Sequence, residues 1–89
     1  MSKLSEIQFL VRNGWSYLTE HAFEEASADG FDIYDVEHGI LTGRVRRTWP
    51  KEGTLEVVGR AVDGRPIGII CRHALSGKVR IITVYEDEQ

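Results

Sequence analysis

The stretch that decides the fold is Arg65–Glu86, which reads RPIGIICRHALSGKVRIITVYE. Its two halves, Ile67–Ala74 and Lys78–Tyr85, are rich in isoleucine and valine, and the dipeptide Ser76-Gly77 separates them. β-Branched residues pack well on a pleated, half-buried surface, and a Ser-Gly pair allows a tight reversal. The stretch therefore predicts an antiparallel hairpin at the centre of a sheet.

Alternation of side chains along each strand sorts the polar residues of this hairpin. In the first strand it separates Arg72 from Cys71 and His73. In the second strand it predicts two sets: Val79, Ile81, Thr83 and Tyr85 on one face, and Arg80, Ile82 and Val84 on the other. Both faces are largely apolar, so the pattern leaves open which face the helices cover.

Two more strands are predicted before the hairpin. Arg44–Trp49 alternates weakly and carries charges typical of an edge strand. Thr54–Val62 is followed by Asp63-Gly64, the strongest signal for a tight turn in the chain. The four strands are joined by short turns, which favours an antiparallel meander.

Three helices are predicted from the apolar spacing of the first half of the chain: residues 4–12, Glu20–Asp29 and Ile33–Leu41. Ser2 or Ser5 is the candidate cap of the first helix, and Thr19 and Asp32 are the candidates for the second and third. Helices followed by strands indicate one α+β domain over residues 1–89, with the N-terminal helices packed on one face of a four-stranded antiparallel sheet.

Composition bounds the class of protein. The chain has 89 residues, with a hydrophobic fraction of 42% and a charged fraction of 28%, as in an ordinary globular domain. No apolar run approaches the roughly 20 residues that cross a membrane, and the chain begins without a signal-peptide pattern. The single Cys71 excludes an internal disulfide. A cytoplasmic location without membrane contact is expected.

The formal net charge of −3 argues against binding of nucleic acid over the whole surface. Two local groups of basic residues stand out: Arg44, Arg46 and Arg47, and Arg72, Lys78 and Arg80. Charged residues on solvated strand faces are the norm, so the plainer interpretation is that both groups are exposed to solvent.

The residues exclude several kinds of enzyme. His21, His38 and His73 lack metal-ligand spacing, so no metal site is expected, and no phosphate-binding or other cofactor motif is present. Cys71 lies in an apolar strand, where a free cysteine is usually a small buried side chain. General acid–base chemistry without a metal remains.

Metal-free RNA cleavage needs a group to take the 2′-hydroxyl proton, a cation for the phosphate and an acid for the leaving oxygen. His21, at a helix start, and Tyr85, at the end of the last strand, are the candidates for proton transfer. Arg60, Arg72 and Arg80 are the candidates for phosphate contact.

Each candidate also has a plainer interpretation. His21 suits a local hydrogen bond near a helix start, and Tyr85 suits the rim of a core with its hydroxyl in water. Arg60 could pair with Glu56 or with another acid across the sheet.

An ordered set of short motifs resembles a known prokaryotic family, called domain of unknown function 4258. The motifs are His21-Ala22, Asp29-Gly30-Phe31, Asp35-Val36, Gly43, Trp49-Pro50, Val58-Gly59-Arg60, Asp63-Gly64-Arg65-Pro66 and Ile81-Ile82-Thr83-Val84-Tyr85. The resemblance covers about residues 17–86. No single motif is specific, but the ordered set is.

The family is grouped with RelE-like and barnase-like ribonuclease toxins, so the resemblance implies a RelE-like fold, RNA as substrate and a neighbouring antitoxin as partner. His21 matches the helix-start histidine of the family, Arg60 a basic position, and Thr83 and Tyr85 the closing strand.

The chain also departs from the family pattern at three positions. Many members carry arginines where this chain has Glu25 and Asp29, and a histidine where it has Gly68. These departures remove positive charge and a possible proton carrier.

Two hypotheses follow. The first is a metal-independent ribonuclease toxin without a cofactor, with His21 and Tyr85 transferring protons and Arg60, Arg72 and Arg80 holding phosphate. The second is a non-catalytic domain that binds a protein or forms a homodimer, which the acidic balance and the departures favour.

Overall fold

The computed structural model describes residues 2–88 and has three helices and a five-stranded mixed sheet, an α+β arrangement. The elements are α1 (Lys3–Arg12), β1 (Ser16–Leu18), α2 (Glu20–Ala28), α3 (Ile33–Leu41), β2 (Arg44–Trp49), β3 (Thr54–Arg60), β4 (Pro66–His73) and β5 (Val79–Glu86). The sheet order is β1-β5-β4-β3-β2. The α+β class and the order of helices and later strands are confirmed.

The sheet differs from the predicted four antiparallel strands by the addition of β1. Ser16 to Leu18 pair with Val79 to Ile81 of β5 in parallel, so the sheet is mixed. A strand of three residues is too short to give a periodic signal in the sequence. The pairing arises because the α1–α2 connection crosses the edge of β5, whose backbone groups need partners.

The predicted capping residues define the helix ends. Ser2, Thr19 and Asp32 cap α1, α2 and α3, and each side chain accepts a hydrogen bond from a backbone N–H of the first turn. Thr19 and Asp32 were the predicted caps, and Ser2 rather than Ser5 caps the first helix. Within residues 2–88, none of the helices is long and apolar enough to span a membrane.

α3 lies close against the sheet because Gly39 has no side chain. A β-carbon at Gly39 would lie 2.5 Å from Ile67 Cγ2 and 2.9 Å from Ile69 Cδ1. Glycine costs about 1 kcal/mol relative to alanine inside a helix. The close packing of α3 on β4 offsets that cost.

The helices cover one face of the sheet, here called the inner face. Its buried apolar residues are Leu55, Val57, Ile67, Ile69, Cys71, Val79, Ile81 and Val84. They form one core with buried residues of the helices, among them Ile7, Val36 and Ile40.

A β-bulge interrupts the alternation of β5. Ile70 pairs with Thr83 and Cys71 pairs with Ile81, so Ile82 is an extra residue without a partner in β4. A bulge of this kind moves all later side chains of the strand to the opposite face.

The bulge decides which residues lie together. Beyond it, Val84 joins the inner face, while Thr83 and Tyr85 turn to the face of Arg80. The strict alternation predicted from the sequence, which placed Thr83 and Tyr85 with Val79, is therefore wrong after the bulge.

Two acids, Glu25 of α2 and Asp29 at its C-terminal cap, complete the edge of β5 that β1 leaves free. The Val84 N–H donates to Glu25 Oε1 (3.2 Å), and the Glu86 N–H donates to Asp29 Oδ2 (3.0 Å). A carboxylate accepts hydrogen bonds, whereas an arginine only donates them. The carboxylates of Glu25 and Asp29 therefore tie α2 and its C-terminal end to β5 in a way that arginines at these positions could not.

Candidate functional site

The face of the sheet opposite the helices, here called the outer face, carries most of the arginines. Cross-strand pairing and side-chain contacts place six of the eight there: Arg44, Arg46, Arg47, Arg60, Arg72 and Arg80. Trp49, Thr83 and Tyr85 share this face. The predicted residues Arg60, Arg72, Arg80, Thr83 and Tyr85 thus share one face. Arg60 and Arg72 are at opposite ends of it, because Arg72 pairs with Thr54 at the start of β3 and Arg60 ends that strand.

The centre of the outer face is a network of hydrogen bonds around Glu56. The Tyr85 hydroxyl donates to Glu56 Oε2. Arg46 Nη2 lies 3.3 Å from the same Glu56 oxygen and donates to the Tyr85 hydroxyl (2.5 Å). Arg46 Nη1 lies 3.0 Å from Asp87 Oδ1. One arginine thus links β2 to a tyrosine and an aspartate at the far side of β4.

Burial and charge set the ionisation of this network. Burial opposes the ionisation of Glu56, but hydrogen bonds from Tyr85 and Arg46 outweigh it, and the pKa of Glu56 is lowered. Burial, followed by the hydrogen bond to Glu56, raises the pKa of Tyr85 to about 12. Hydrogen bonds to Glu56 and Asp87 raise the pKa of Arg46. At neutral pH the pair is a glutamate anion and a neutral phenol.

The second carboxylate oxygen of Glu56 is buried without a hydrogen-bond partner in residues 2–88. The whole residue is only 7% exposed. Arg47 Nε lies 3.7 Å from this oxygen, beyond hydrogen-bond distance, and the Arg47 guanidinium lies over the Trp49 ring (5.6 Å to the centroid). Within residues 2–88, Glu56 Oε1 thus has a cationic side chain near it but no donor at hydrogen-bond distance.

Gly68 makes room for the Tyr85 ring. The two residues are paired across β4 and β5, and a β-carbon at Gly68 would lie within 3.0 Å of ring and hydroxyl atoms of Tyr85. The ring therefore crosses β4 and reaches Glu56 on β3 only because position 68 has no side chain. A histidine at this position, which the resemblance led us to expect, would not leave space for the ring.

Arg72 and Arg80 lie directly opposite each other on β4 and β5. Neither takes part in an ion pair within residues 2–88, and Arg72 Nε is buried without a partner. Facing like charges are unfavourable, so an anion bound between them would be stabilising. Thr83 lies next to them on the same face.

Arg60 ends β3 at one side of the outer face. Its guanidinium donates to the Gly64 carbonyl (3.1 Å), and its backbone N–H donates to Thr42 Oγ1 (3.1 Å). It does not pair with Glu56, whose partners are Tyr85 and Arg46.

His21 lies apart from the network. It is in the first turn of α2, its side chain is 69% exposed, and its Nε2 lies 3.2 Å from Glu25 Oε2. The other oxygen of Glu25 caps the edge of β5 that faces away from β4. The Tyr85 hydroxyl, in contrast, ends on β3, two strands or about 10 Å from β5. The structure does not bring the two predicted proton carriers together.

Sequence reasoning missed the residues at the centre of the site, chiefly Glu56 and Arg46. The available signal was a lone carboxylate within the apolar run of β3, between Leu55 and Val57. A charge at such a position needs a partner, and Arg46 is it. Among the described residues, no three His, Cys, Asp or Glu side chains are grouped closely enough to hold a metal ion.

Fold and site thus define an α+β domain with an arginine-rich open sheet face. The chain belongs to the family described as domain of unknown function DUF4258, whose model matches residues 18–86. The match spans α2 to β5 and contains Glu56 and Tyr85. No curated protein and no solved structure matches the chain. The predicted family is confirmed, and its relation to RelE-like ribonucleases stays a prediction.

Proposed function

We propose that the protein is a metal-independent endoribonuclease that cleaves single-stranded RNA on the outer face of its sheet. The proposal includes a distant relation to RelE-like and barnase-like ribonucleases and a role as the toxin of a toxin–antitoxin pair. The observation that carries it is an ionised Glu56 hydrogen-bonded to the neutral Tyr85 hydroxyl, among arginines, on an open face.

The distribution of charge supports RNA as the ligand. Residues 1–43 contain two basic and eight acidic residues, whereas residues 44–89 contain nine basic and six acidic residues. The strands are therefore positive although the whole chain is acidic, and arginine matches phosphate geometry well. Trp49 adds a ring on which an unpaired base stacks, at about 1–3 kcal/mol per base.

Glu56 and Tyr85 have the protonation states that cleavage by transphosphorylation needs. Glu56 Oε1 takes the proton of the ribose 2′-hydroxyl while the 2′-oxygen forms a bond to phosphorus. The bond between phosphorus and the 5′-oxygen breaks, and Tyr85 gives its proton to that oxygen. The products are a 2′,3′-cyclic phosphate and a 5′-hydroxyl. Proton exchange with water then removes the proton from Glu56 Oε1 and restores the proton of the Tyr85 phenol, so that both groups regain their starting states.

The arginines supply the charge that the transition state requires. Arg46 already donates to the Tyr85 hydroxyl and would stabilise the phenolate. Arg47 would leave Glu56 for the phosphate, which opens Oε1 to the 2′-hydroxyl. Arg72 and Arg80 face each other on the same face and would hold an adjoining phosphate.

The test is cleavage of a single-stranded RNA of mixed sequence in the presence of a metal chelator. Glu56→Gln has the same shape but cannot take a proton, so its cleavage rate should fall at least about 100-fold. Arg12→Gln, at the exposed end of α1, is the matched control and should cleave like the wild type. Intact RNA with the wild-type protein, or full activity of Glu56→Gln, refutes the proposal.

A second variant separates Glu56 from the histidine predicted from the sequence. His21→Ala should retain cleavage, because His21 contacts Glu25 at the sheet edge. Loss of activity in His21→Ala with retention in Glu56→Gln would assign proton transfer to the histidine.

The toxin role has its own test. Expression of the wild-type chain without its neighbouring gene should arrest the growth of a bacterial host, and Glu56→Gln should relieve the arrest. Growth unaffected by the wild-type chain would refute the toxin role and leave the ribonuclease to be judged by the cleavage assay.

A groove between α2 and α3 favours a second candidate, a non-catalytic domain that acts by binding a protein. The groove has a volume of about 230 Å³, and Leu18, Phe23 and Phe31 are among its lining residues. Phe23 is 62% exposed, and exposed apolar surface often marks an interaction site. The partner would be an antitoxin or a second copy of the chain. Sedimentation of wild type and Phe23→Ser tests self-association, and a monomer that cleaves RNA through Glu56 rules this candidate out.

A further inference from the structure

A polar hollow lies at one end of the outer face, beside the C-terminal turn of α3. It has a volume of about 190 Å³. Its lining residues are Thr42, Arg44, Val58, Gly59, Arg60 and Pro66. Its β3 residues, Val58 to Arg60, lie two to four residues from Glu56, or about 7–13 Å along the strand. Neither Glu56 nor Tyr85 is among the lining residues.

Gly59 shapes this hollow. A β-carbon at Gly59 would collide with the Gly39 carbonyl, so only glycine lets the end of α3 come this close to β3. The approach places Thr42 Oγ1 where it accepts from the Arg60 N–H (3.1 Å), and His38 Nδ1 where it donates to the Arg60 carbonyl (2.7 Å). The backbone of Arg60 is therefore fixed on both sides.

The two arginines of the hollow lack carboxylate partners. Arg44 forms no ion pair within residues 2–88, and Arg60 uses one N–H on the Gly64 carbonyl, which leaves four of its five donors. No acid lines the hollow. Asp87, whose backbone N–H donates to the Pro66 carbonyl, is held by Arg46 at 3.0 Å.

We infer that this hollow binds a phosphate group, held by the guanidinium groups of Arg44 and Arg60. Guanidinium groups present paired donors that match phosphate oxygens, and a partly enclosed site is less screened by salt than an exposed one. Two sources share this chemistry, a backbone phosphate of RNA and a free phosphate. The site stands whether or not the outer face cleaves RNA.

The test is a titration followed by the backbone amide resonances of the full chain, with inorganic phosphate as one probe and a 2′-O-methyl RNA pentanucleotide as the other. The pentanucleotide cannot be cleaved by transphosphorylation, so binding is measured without turnover. The amides of Gly59 and Arg60 should shift saturably. Arg44→Gln and Arg60→Gln should each weaken binding at least about tenfold, whereas Arg12→Gln, outside the hollow, should bind like the wild type.

The two probes distinguish the sources. Tighter binding of the pentanucleotide, lost in Arg60→Gln, assigns the site to an RNA backbone phosphate, and equal or tighter binding of inorganic phosphate assigns it to a free phosphate. Absence of saturable shifts at Gly59 and Arg60 with both probes overturns the inference, as does an equal loss of affinity in Arg12→Gln. The wild-type titration decides this even if a variant fails to fold.

Discussion

Replacement of Gly68 by alanine is expected to break the network around Glu56 although it replaces none of the residues that form the network. The added β-carbon would lie within 3.0 Å of the ring and hydroxyl of Tyr85. The outer end of a tyrosine side chain is displaced more easily than a side chain packed in the core. The expected result is therefore a displaced ring and the loss of its hydrogen bonds with Glu56 and Arg46.

The magnitude follows from those bonds. A hydrogen bond to a charged group contributes about 1.5–3 kcal/mol, and water replaces part of it on an open face. We expect Gly68→Ala to lower the free energy of unfolding by about 1–3 kcal/mol in total. For a domain of this size each 1 kcal/mol corresponds to about 4–8 °C in the melting temperature.

A double-mutant cycle isolates the cause. In a Tyr85→Ala background no ring opposes the new methyl group, and alanine is favoured over glycine in a strand by about 0.5–1 kcal/mol. Gly68→Ala should therefore be neutral or stabilising there, so that the coupling energy is at least about 1 kcal/mol. The measurement is denaturant unfolding of the four proteins.

Tyrosine absorbance gives an independent readout. Subtraction of the absorbance titration of Tyr85→Phe from that of the wild type isolates the Tyr85 phenol, which should have a pKa of about 12. Gly68→Ala should shift this pKa back toward 10.0. Equal destabilisation by Gly68→Ala in both backgrounds would show that the ring does not lie over position 68, and the reasoning would be refuted.

Three further predictions concern stability and reactivity. Asp29→Ala should remove the acceptor of the Glu86 N–H and lower the free energy of unfolding by about 0.5–1.5 kcal/mol. Hydrogen exchange should become faster at the Glu86 amide. Exchange at the Val84 amide, which donates to Glu25, should change little. Because the pKa of Glu56 is lowered in the fold, its contribution to stability is present above about pH 4.5 and is lost as the pH falls through the lowered value. Wild type should therefore lose more stability than Glu56→Gln between pH 7 and about pH 3, and equal losses would contradict this. Burial raises the pKa of Cys71 to about 12, so a thiol reagent at pH 8 should react only after unfolding.

The helices and the strands β3, β4 and β5 were predictable because each has a strong local cause. Capping residues and apolar spacing define the helices, and β-branched runs bounded by turn residues define β3, β4 and β5. β1 was not predictable, because three residues carry no periodic pattern and the strand exists only through its pairing with β5.

The site was predictable only in its parts. The arginines, Thr83 and Tyr85 are visible in the sequence, but a single extra residue, Ile82, decides that Thr83 and Tyr85 lie with Arg80. A bulge depends on how two strands pair, and the pattern of one strand does not contain that information. Glu56 was interpretable only as a possible partner of Arg60, because its partner Arg46 is ten residues away on a neighbouring strand.

Glu25, Asp29 and Gly68 all act on β5. Glu25 and Asp29 accept hydrogen bonds from the Val84 and Glu86 amides and hold the edge of the strand. Gly68 removes a side chain from the neighbouring strand, so that the Tyr85 ring crosses it and meets Glu56. A histidine at position 68 would occupy the space that this ring fills. In the proposed reaction a tyrosine and a glutamate in direct contact carry the protons, and that reaction needs no histidine at position 68.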